Sequence, residues 1–298
     1  RRQRQMCIRD SRVSFMLKRL KNEVVHSVWA MWHQMQEGDF VQTYTEKGFR
    51  GNDKEWESMC IPFGEDAKIC LDGVIDRVDL CSLPGEELIK IIDYKSSDSQ
   101  DLLLAKVYYG LQMQLLTYLE AAKEMVEKEH KGKEAIPAAM LYYAIKEKNL
   151  DWKPESEEEY EKRVLDSMKC KGYVNEEPEI IGHLDKSVVN GGELIPGQKS
   201  GVVPVAVDKK GLLKKNSGTL STKDFETLIA HTKEKMKECG KAILDGKIEA
   251  IPYVYEDNDG CTYCPYGSVC GHESKKDGVR EMKKMSDDEV WEALYGDD

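Results

Sequence analysis

No uninterrupted apolar run of about 18 residues occurs in the chain, which excludes a membrane-spanning helix at the level of sequence. No secretory leader is legible either, so the expected compartment is the cytoplasm. Positive charge is in short supply: 44 Lys and Arg stand against 55 Asp and Glu, for a net charge of -11. A chain that coats nucleic acid is usually basic overall. The balance therefore counts against a broad DNA-coating surface, but it leaves room for a local basic groove or a partner that brings the charge. There is no G-x-x-x-x-G-K-[ST] phosphate loop, so ATP binding and DNA unwinding do not belong to these residues. No internal repeat is legible.

The 298 residues, 40% of them hydrophobic, suffice for a real core and one or two domains. Nine cysteines in a cytoplasmic chain suggest thiols or metal ligands more than disulfides. Cys7, Cys60, Cys70, Cys81, Cys170 and Cys239 are scattered, whereas Cys261, Cys264 and Cys270 are clustered.

Residues 71–95, LDGVIDRVDLCSLPGEELIKIIDYK, predict two strands joined at Ser82-Leu83-Pro84-Gly85. Residues two apart on a strand share a face. Asp93 and Lys95 then project together, within reach of Asp76 on the neighbouring strand. Residues 88–94 form a nearly continuous apolar run, as in a strand buried on both faces. Charge at the end of such a strand needs a partner or a metal. Two carboxylates, with the Tyr94 carbonyl as a further candidate ligand, suit Mg²⁺ or Mn²⁺, and a lysine beside them could position an attacking water.

Around this hairpin the periodicity predicts an amphipathic helix over residues 12–35, carrying His26, with Phe15, Leu17, Leu20, Val24, Val25, Val28, Trp29 and Trp32 at helical spacing. A polar segment follows to about Trp56. A second long helix is expected over 102–129, where Gln114 and Tyr118 lie four apart on one face. Residues 138–145 read as a buried strand, 146–220 as a loop-rich insertion, and 223–245 as a helix capped by Ser221 or Thr222. Lys209-Lys210 and Lys214-Lys215 make a small basic patch, solvated or phosphate-facing. Residues 1–11, RRQRQMCIRDS, are expected to be a non-native leader outside the fold, with the native sequence upstream missing. Cys261-x2-Cys264-x5-Cys270 reads as a metal site; three thiols leave open a Cys3His zinc site with His272, or a cubane cluster with a distant fourth ligand.

His26, Asp76 in GVIDRVD, Asp93-Tyr94-Lys95 in IIDYKSS, and Gln114-x3-Tyr118 in YYGLQMQLLTYL occur in an order that resembles the RecB-type branch of the PD-(D/E)XK nucleases. With CTYCPYGSVC the resemblance narrows to the AddB-type nuclease domains, over residues 12–271. It implies an α/β, restriction-endonuclease-like fold with a mixed central sheet flanked by helices and a C-terminal iron–sulfur segment. It implies His26, Asp76 and Asp93 as metal ligands for Mg²⁺ or Mn²⁺, Lys95 as catalytic lysine, and Gln114 and Tyr118 lining the active site. It further implies Cys261, Cys264 and Cys270 as three of four ligands of a [4Fe-4S] cluster, with the fourth upstream of the His26 helix. The expected layout is a nuclease domain over 12–250, the cysteine-rich segment over 251–275 and a polar tail over 276–298. The implied function is cleavage of single-stranded DNA ends, with an AddA-like helicase–nuclease subunit as partner and no membrane. Two rivals stay open: a catalytically inactive binding module of the same fold, and a zinc-stabilised interaction protein.

Overall fold

The computed structural model describes residues 2–51, 56–64, 66–96, 101–145, 156–273 and 278–296, without the side chains of 2–11. Its centre is a six-stranded mixed sheet. In chain order the strands are β1 (Val41–Phe49), a separate hairpin β2 (Met59–Phe63) and β3 (Ala67–Leu71), then β4 (Gly73–Leu83), β5 (Glu86–Lys95), β6 (Glu134–Ala144), β7 (Lys171–Asn175), β8 (Val189–Asn190), β9 (Glu193–Leu194) and β10 (Thr219–Leu220). The spatial order is β1-β4-β5-β6-β7-β10. β4 and β5 pair antiparallel across the Pro84-Gly85 turn, as the hairpin reading predicts. β5 and β6 are parallel, and β6 and β7 antiparallel.

Alternation along β5 divides its side chains between two cores. Ile89 and Ile91 face the helices α2 (Leu104–Tyr108), α3 (Gln114–Glu129) and α6 (Thr222–Leu244), packing with Leu115, Leu119 and Phe225. Leu88 and Ile92 face the other way, toward Ala30 of α1 (Arg2–Gln36), Val164 of α4 (Glu157–Ser167) and Ile181 of α5 (Pro178–Leu184). After α6 come β11 (Tyr253–Tyr255), β12 (Asn258–Asp259), α7 (Gly267–Cys270), β13 (Arg280–Met282) and α8 (Asp287–Tyr295).

Several expectations from the sequence are corrected. α1 continues back to Arg2, and its apolar positions Phe15 and Leu20 are 68% and 54% exposed. Among its described side chains burial begins at Ser27 and continues through Ala30 and Gln34, whose amide donates to the Met168 carbonyl at 3.2 Å. The polar segment before Trp56 contains edge strand β1. The single long helix over 102–129 is two. Gly110 takes φ 76° after α2, the Leu111 N–H closes on the Lys106 carbonyl, and α3 starts afresh at Gln114. The strand expected over 138–145 begins at Glu134, so Pro137 lies within β6, beside a register shift that accommodates its missing N–H. The loop-rich stretch 146–220 supplies two strands of the central sheet, β7 and β10. In the C-terminal tail, by contrast, the apolar set Val290, Trp291, Leu294 and Tyr295 forms the helix that its spacing predicts, α8, with Val290 fully buried. Cys60 and Cys70, read as thiols, are direct partners across β2 and β3 and form a disulfide. Residues 97–100, in the polar break after β5, lie outside the described residues, as do 151–155 of the acidic stretch before α4. Among the described residues no helix is long and apolar enough to cross a membrane.

Candidate active site

The site forms where β4 begins and β5 ends. The pairing of Arg77 with Ile92 places Asp76 beside Asp93 on the α3 face of the sheet. Asp76 is held from below: its Oδ2 accepts the backbone N–H of Tyr94 at 2.8 Å. A carboxylate fixed by a strand amide keeps its other oxygen available to a ligand.

Asp93 is 3% exposed. Burial pushes its carboxyl above the ordinary aspartate range; Lys95 opposes the shift and the charge of Asp76 adds to it. The Lys95 ammonium lies 2.6 Å from Asp93 Oδ2, yet Oδ2 is buried without a donor in hydrogen-bond geometry. The same ammonium donates to Gln114 Oε1 at 3.1 Å and stands 5.2 Å from the centre of the Tyr142 ring. Lysine has donors only, so it must meet the carbonyl end of the Gln114 amide. The amide nitrogen then points the other way and donates to the Tyr118 hydroxyl at 3.0 Å. Tyr118 is steadied edge-on by Phe49, with ring centres 6.0 Å apart. The result is a chain of contacts, Asp93–Lys95–Gln114–Tyr118, that ties a strand end to the first turn of α3.

Two features were not legible from sequence. Tyr142 sits directly beside Asp93 in the parallel pairing of β5 with β6 and floors the ammonium. Burial, then Asp93 and Tyr118, push its phenol up to about 12, so it stays neutral at physiological pH. The signal was the AAMLYYAI strand itself; the missing information was its register against β5. On the opposite face lies a buried ion network in which Arg77 donates to both oxygens of Asp79, at 2.6 and 2.8 Å, and Lys90 approaches Asp79 at 2.9 Å. Burial alone would push Asp79 up, but Lys90 and Arg77 hold it below the usual carboxylate range. Arg77 also contacts Tyr94, the residue whose amide holds Asp76.

His26 is half-buried on α1. The next residue, Ser27, accepts a hydrogen bond from Tyr143 at 3.2 Å through its backbone carbonyl. Tyr143 neighbours Tyr94 and so points to the face opposite Asp93. The structure thus brings Asp76, Asp93, Lys95, Gln114 and Tyr118 together and does not gather His26 with the carboxylates. Among the described residues no three His, Cys, Asp or Glu side chains form a metal-holding group. For a divalent cation the donor set nevertheless fits at its centre. Asp93 Oδ2 is a buried oxygen without an aligned donor, beside a second carboxylate, and hard oxygen donors are what Mg²⁺ selects.

Cys261, Cys264 and Cys270 lie on an exposed loop and at the end of α7. The Cys264 N–H bonds the Cys261 carbonyl at 3.1 Å, and Asp259 Oδ1 accepts the N–H groups of Cys261 and Thr262. Desolvation, then Asp259, Cys264 and Cys270, push the Cys261 thiol up. The surrounding Tyr263, Tyr266 and Val269 are exposed. Among the described residues these three thiols are not gathered into a metal-holding group. Cys7, the nearest upstream cysteine, has a side chain outside the described residues.

A mixed sheet presenting two carboxylates and a lysine at one strand end, lined by a Gln/Tyr pair from the following helix, defines a nuclease-type site. The chain belongs to the PD-(D/E)XK nuclease superfamily, whose sequence model matches residues 3–271. Its relatives include the B-type subunit of the ATP-dependent helicase/deoxyribonuclease of Thermoanaerobacter sp. (strain X514), 32% identical over 286 residues, covering 95% of this chain and 24% of the relative. The corresponding protein of Lachnoclostridium phytofermentans is 32% identical over 293 residues, 97% of this chain and 24% of the relative. That of Caldanaerobacter subterraneus subsp. tengcongensis is 34% identical over 271 residues, 90% and 22% respectively. The chain therefore spans about 24% of the length of the relatives it matches.

Proposed function

We propose that this chain is a metal-dependent deoxyribonuclease that hydrolyses phosphodiester bonds of single-stranded DNA ends. The observation that carries the reading is Asp93: a buried carboxylate beside a second carboxylate, with the Lys95 ammonium 2.6 Å from its Oδ2. Asp76 and Asp93 would hold Mg²⁺ or Mn²⁺; His26, which the structure does not gather with them, is proposed as third ligand on the family resemblance alone. The bound cation would polarise the phosphodiester, neutralise charge that develops in the transition state and acidify water in the site.

The protein's own contribution is placement. The Tyr94 amide fixes Asp76. Gln114 takes one direction of the Lys95 ammonium and Tyr142 floors it, so its remaining donors face the cleft, where they orient the attacking water and offset the phosphate's charge. Tyr118 receives its hydrogen bond from Gln114 and keeps its own O–H for a substrate oxygen.

The same reading puts the chain in a helicase–nuclease assembly acting in double-strand break repair and recombination, with an AddA-like subunit as partner and motor. It assigns Cys261, Cys264 and Cys270 to a [4Fe-4S] cluster with a fourth ligand upstream. The relatives' names support the nuclease and its assembly. Calorimetric titration with Mg²⁺ tests the site: wild-type protein binds it and the Asp76→Asn/Asp93→Asn variant does not. Equal binding by both refutes the assignment.

A further inference from the structure

Direct cross-strand neighbours continue the catalytic row past Asp93. Asp93 pairs with Tyr142 on β6, and Tyr142 pairs with Lys171 on β7. At about 4.8 Å per strand, Lys171 stands roughly 10 Å from Asp93 at the same end of the sheet. There a cleft of about 480 Å³ opens, with Lys169, Lys171, Lys199 and Lys215 in its walls.

The electrostatics of this cleft are incomplete. Lys169 is half-buried and its ammonium is held by the Ser200 carbonyl at 2.8 Å, a neutral acceptor. Desolvation first and then Lys199 bring it down to about 8, against the opposing pull of Asp166 and Asp185. Lys171 and Lys215 carry ion pairs, to Asp101 at 2.8 Å and to Asp288 at 3.1 Å. Both acids are more than half exposed, and such surface pairs are weak enough for a phosphate to displace the carboxylate. Asp166 and Asp287 also line the cleft, and burial followed by the charge of Asp288 raises the Asp287 carboxyl.

We propose that this cleft seats the sugar–phosphate backbone of the strand being cut, on the side of Asp93 away from Asp76. The proposal rests on the nuclease reading for the identity of the strand and adds its path. In a chain of net charge -11 the cleft gathers four lysines, set against Asp101, Asp166 and Asp287, at the end of the sheet where Lys171 continues the row of Asp93 and Tyr142. The groove meets phosphate, so binding is indifferent to base sequence.

The test is binding of a fluorescein-labelled oligothymidylate of about 16 nucleotides to the full 298-residue chain in EDTA, across a salt series. The Lys171→Gln/Lys199→Gln variant should bind about tenfold more weakly, and its log K against log salt slope should fall by about 1.4, or 0.7 for each phosphate no longer neutralised. Lys209→Gln/Lys210→Gln, outside the cleft, should match wild type in both. Lys215→Gln alone should lower the slope by about 0.7 and serves as the milder variant. Wild-type affinity and slope in the Lys171/Lys199 variant overturn the groove. If such a variant binds normally while wild-type protein cleaves DNA with Mg²⁺, the groove alone is wrong. If the wild type does not cleave but binds DNA in a Lys171/Lys199-dependent way, the groove stands and the nuclease reading falls.

Discussion

Lys95 and Asp93 project from the same face of β5 with Nζ 2.6 Å from Oδ2, while that oxygen stays without an aligned hydrogen-bond donor. The ion pair therefore only partly offsets the burial of Asp93, and its carboxyl is raised, by burial first and by Asp76 after Lys95's opposing pull. Folded Asp93 holds its proton more tightly than an aspartate in the unfolded chain. Its contribution to stability is greatest below the unfolded value of about 3.9 and declines as pH rises through the folded one. Asp93→Asn removes that decline. Without metal at pH 7 the variant should melt above wild type. Added Mg²⁺ should raise the wild-type melting temperature and leave the variant's unchanged. A variant that melts lower without metal shows that the ion pair outweighs the burial.

Gln114 joins Lys95 to Tyr118, so its loss should be felt in turnover more than in substrate affinity. Gln114→Ala should lower kcat by about 10- to 100-fold, the range for residues that orient a metal site, with a melting temperature close to wild type. Tyr118→Phe keeps the packing against Phe49 and loses the hydroxyl, so unfolding free energy should change by no more than about 1 kcal/mol while kcat falls. Steady-state kinetics alongside chemical denaturation separate the two. A KM effect alone would move these residues out of the catalytic chain.

Gly172 follows Lys171 at φ 133°, and a Cβ there would overlap the Met140 carbonyl oxygen. Gly172→Ala should cost about 2 kcal/mol or more, because strain and a backbone clash coincide. Chemical denaturation checks it, and a loss below about 0.5 kcal/mol would mean that β7 can shift without penalty.

Protein purified without oxygen should be brown and contain iron and acid-labile sulfide, and Cys264→Ser should lose both. A colourless, zinc-loaded protein would instead favour the Cys3His site with His272.

The hairpin that carries the site was the most legible part of the chain. Alternation in Val74–Leu80, the Pro84-Gly85 turn and the apolar run into Asp93 are local signals, and the structure realises each of them. The Gln114/Tyr118 face was legible for the same reason, as a four-residue spacing within one helix. Tyr142 and Lys171 were not, because each joins the site through pairing between strands far apart in sequence. The break between α2 and α3 was hidden because Gly110 acts through its positive φ, which apolar periodicity does not register. The buried face of α1 was misjudged for a different reason. Its most apolar residues are the exposed ones, and Ser27 and Gln34 are turned inward.

The most direct test of the central claim is cleavage of end-labelled single-stranded DNA by the purified chain with Mg²⁺, compared with its Asp93→Ala variant at equal concentration. The account predicts shortened products from wild type, none in EDTA, and a rate at least about 100-fold lower for Asp93→Ala, because the cation's charge stabilisation, worth several kcal/mol, goes with the carboxylate that would hold it. Intact DNA with wild-type protein, or equal cleavage by the variant, would contradict it.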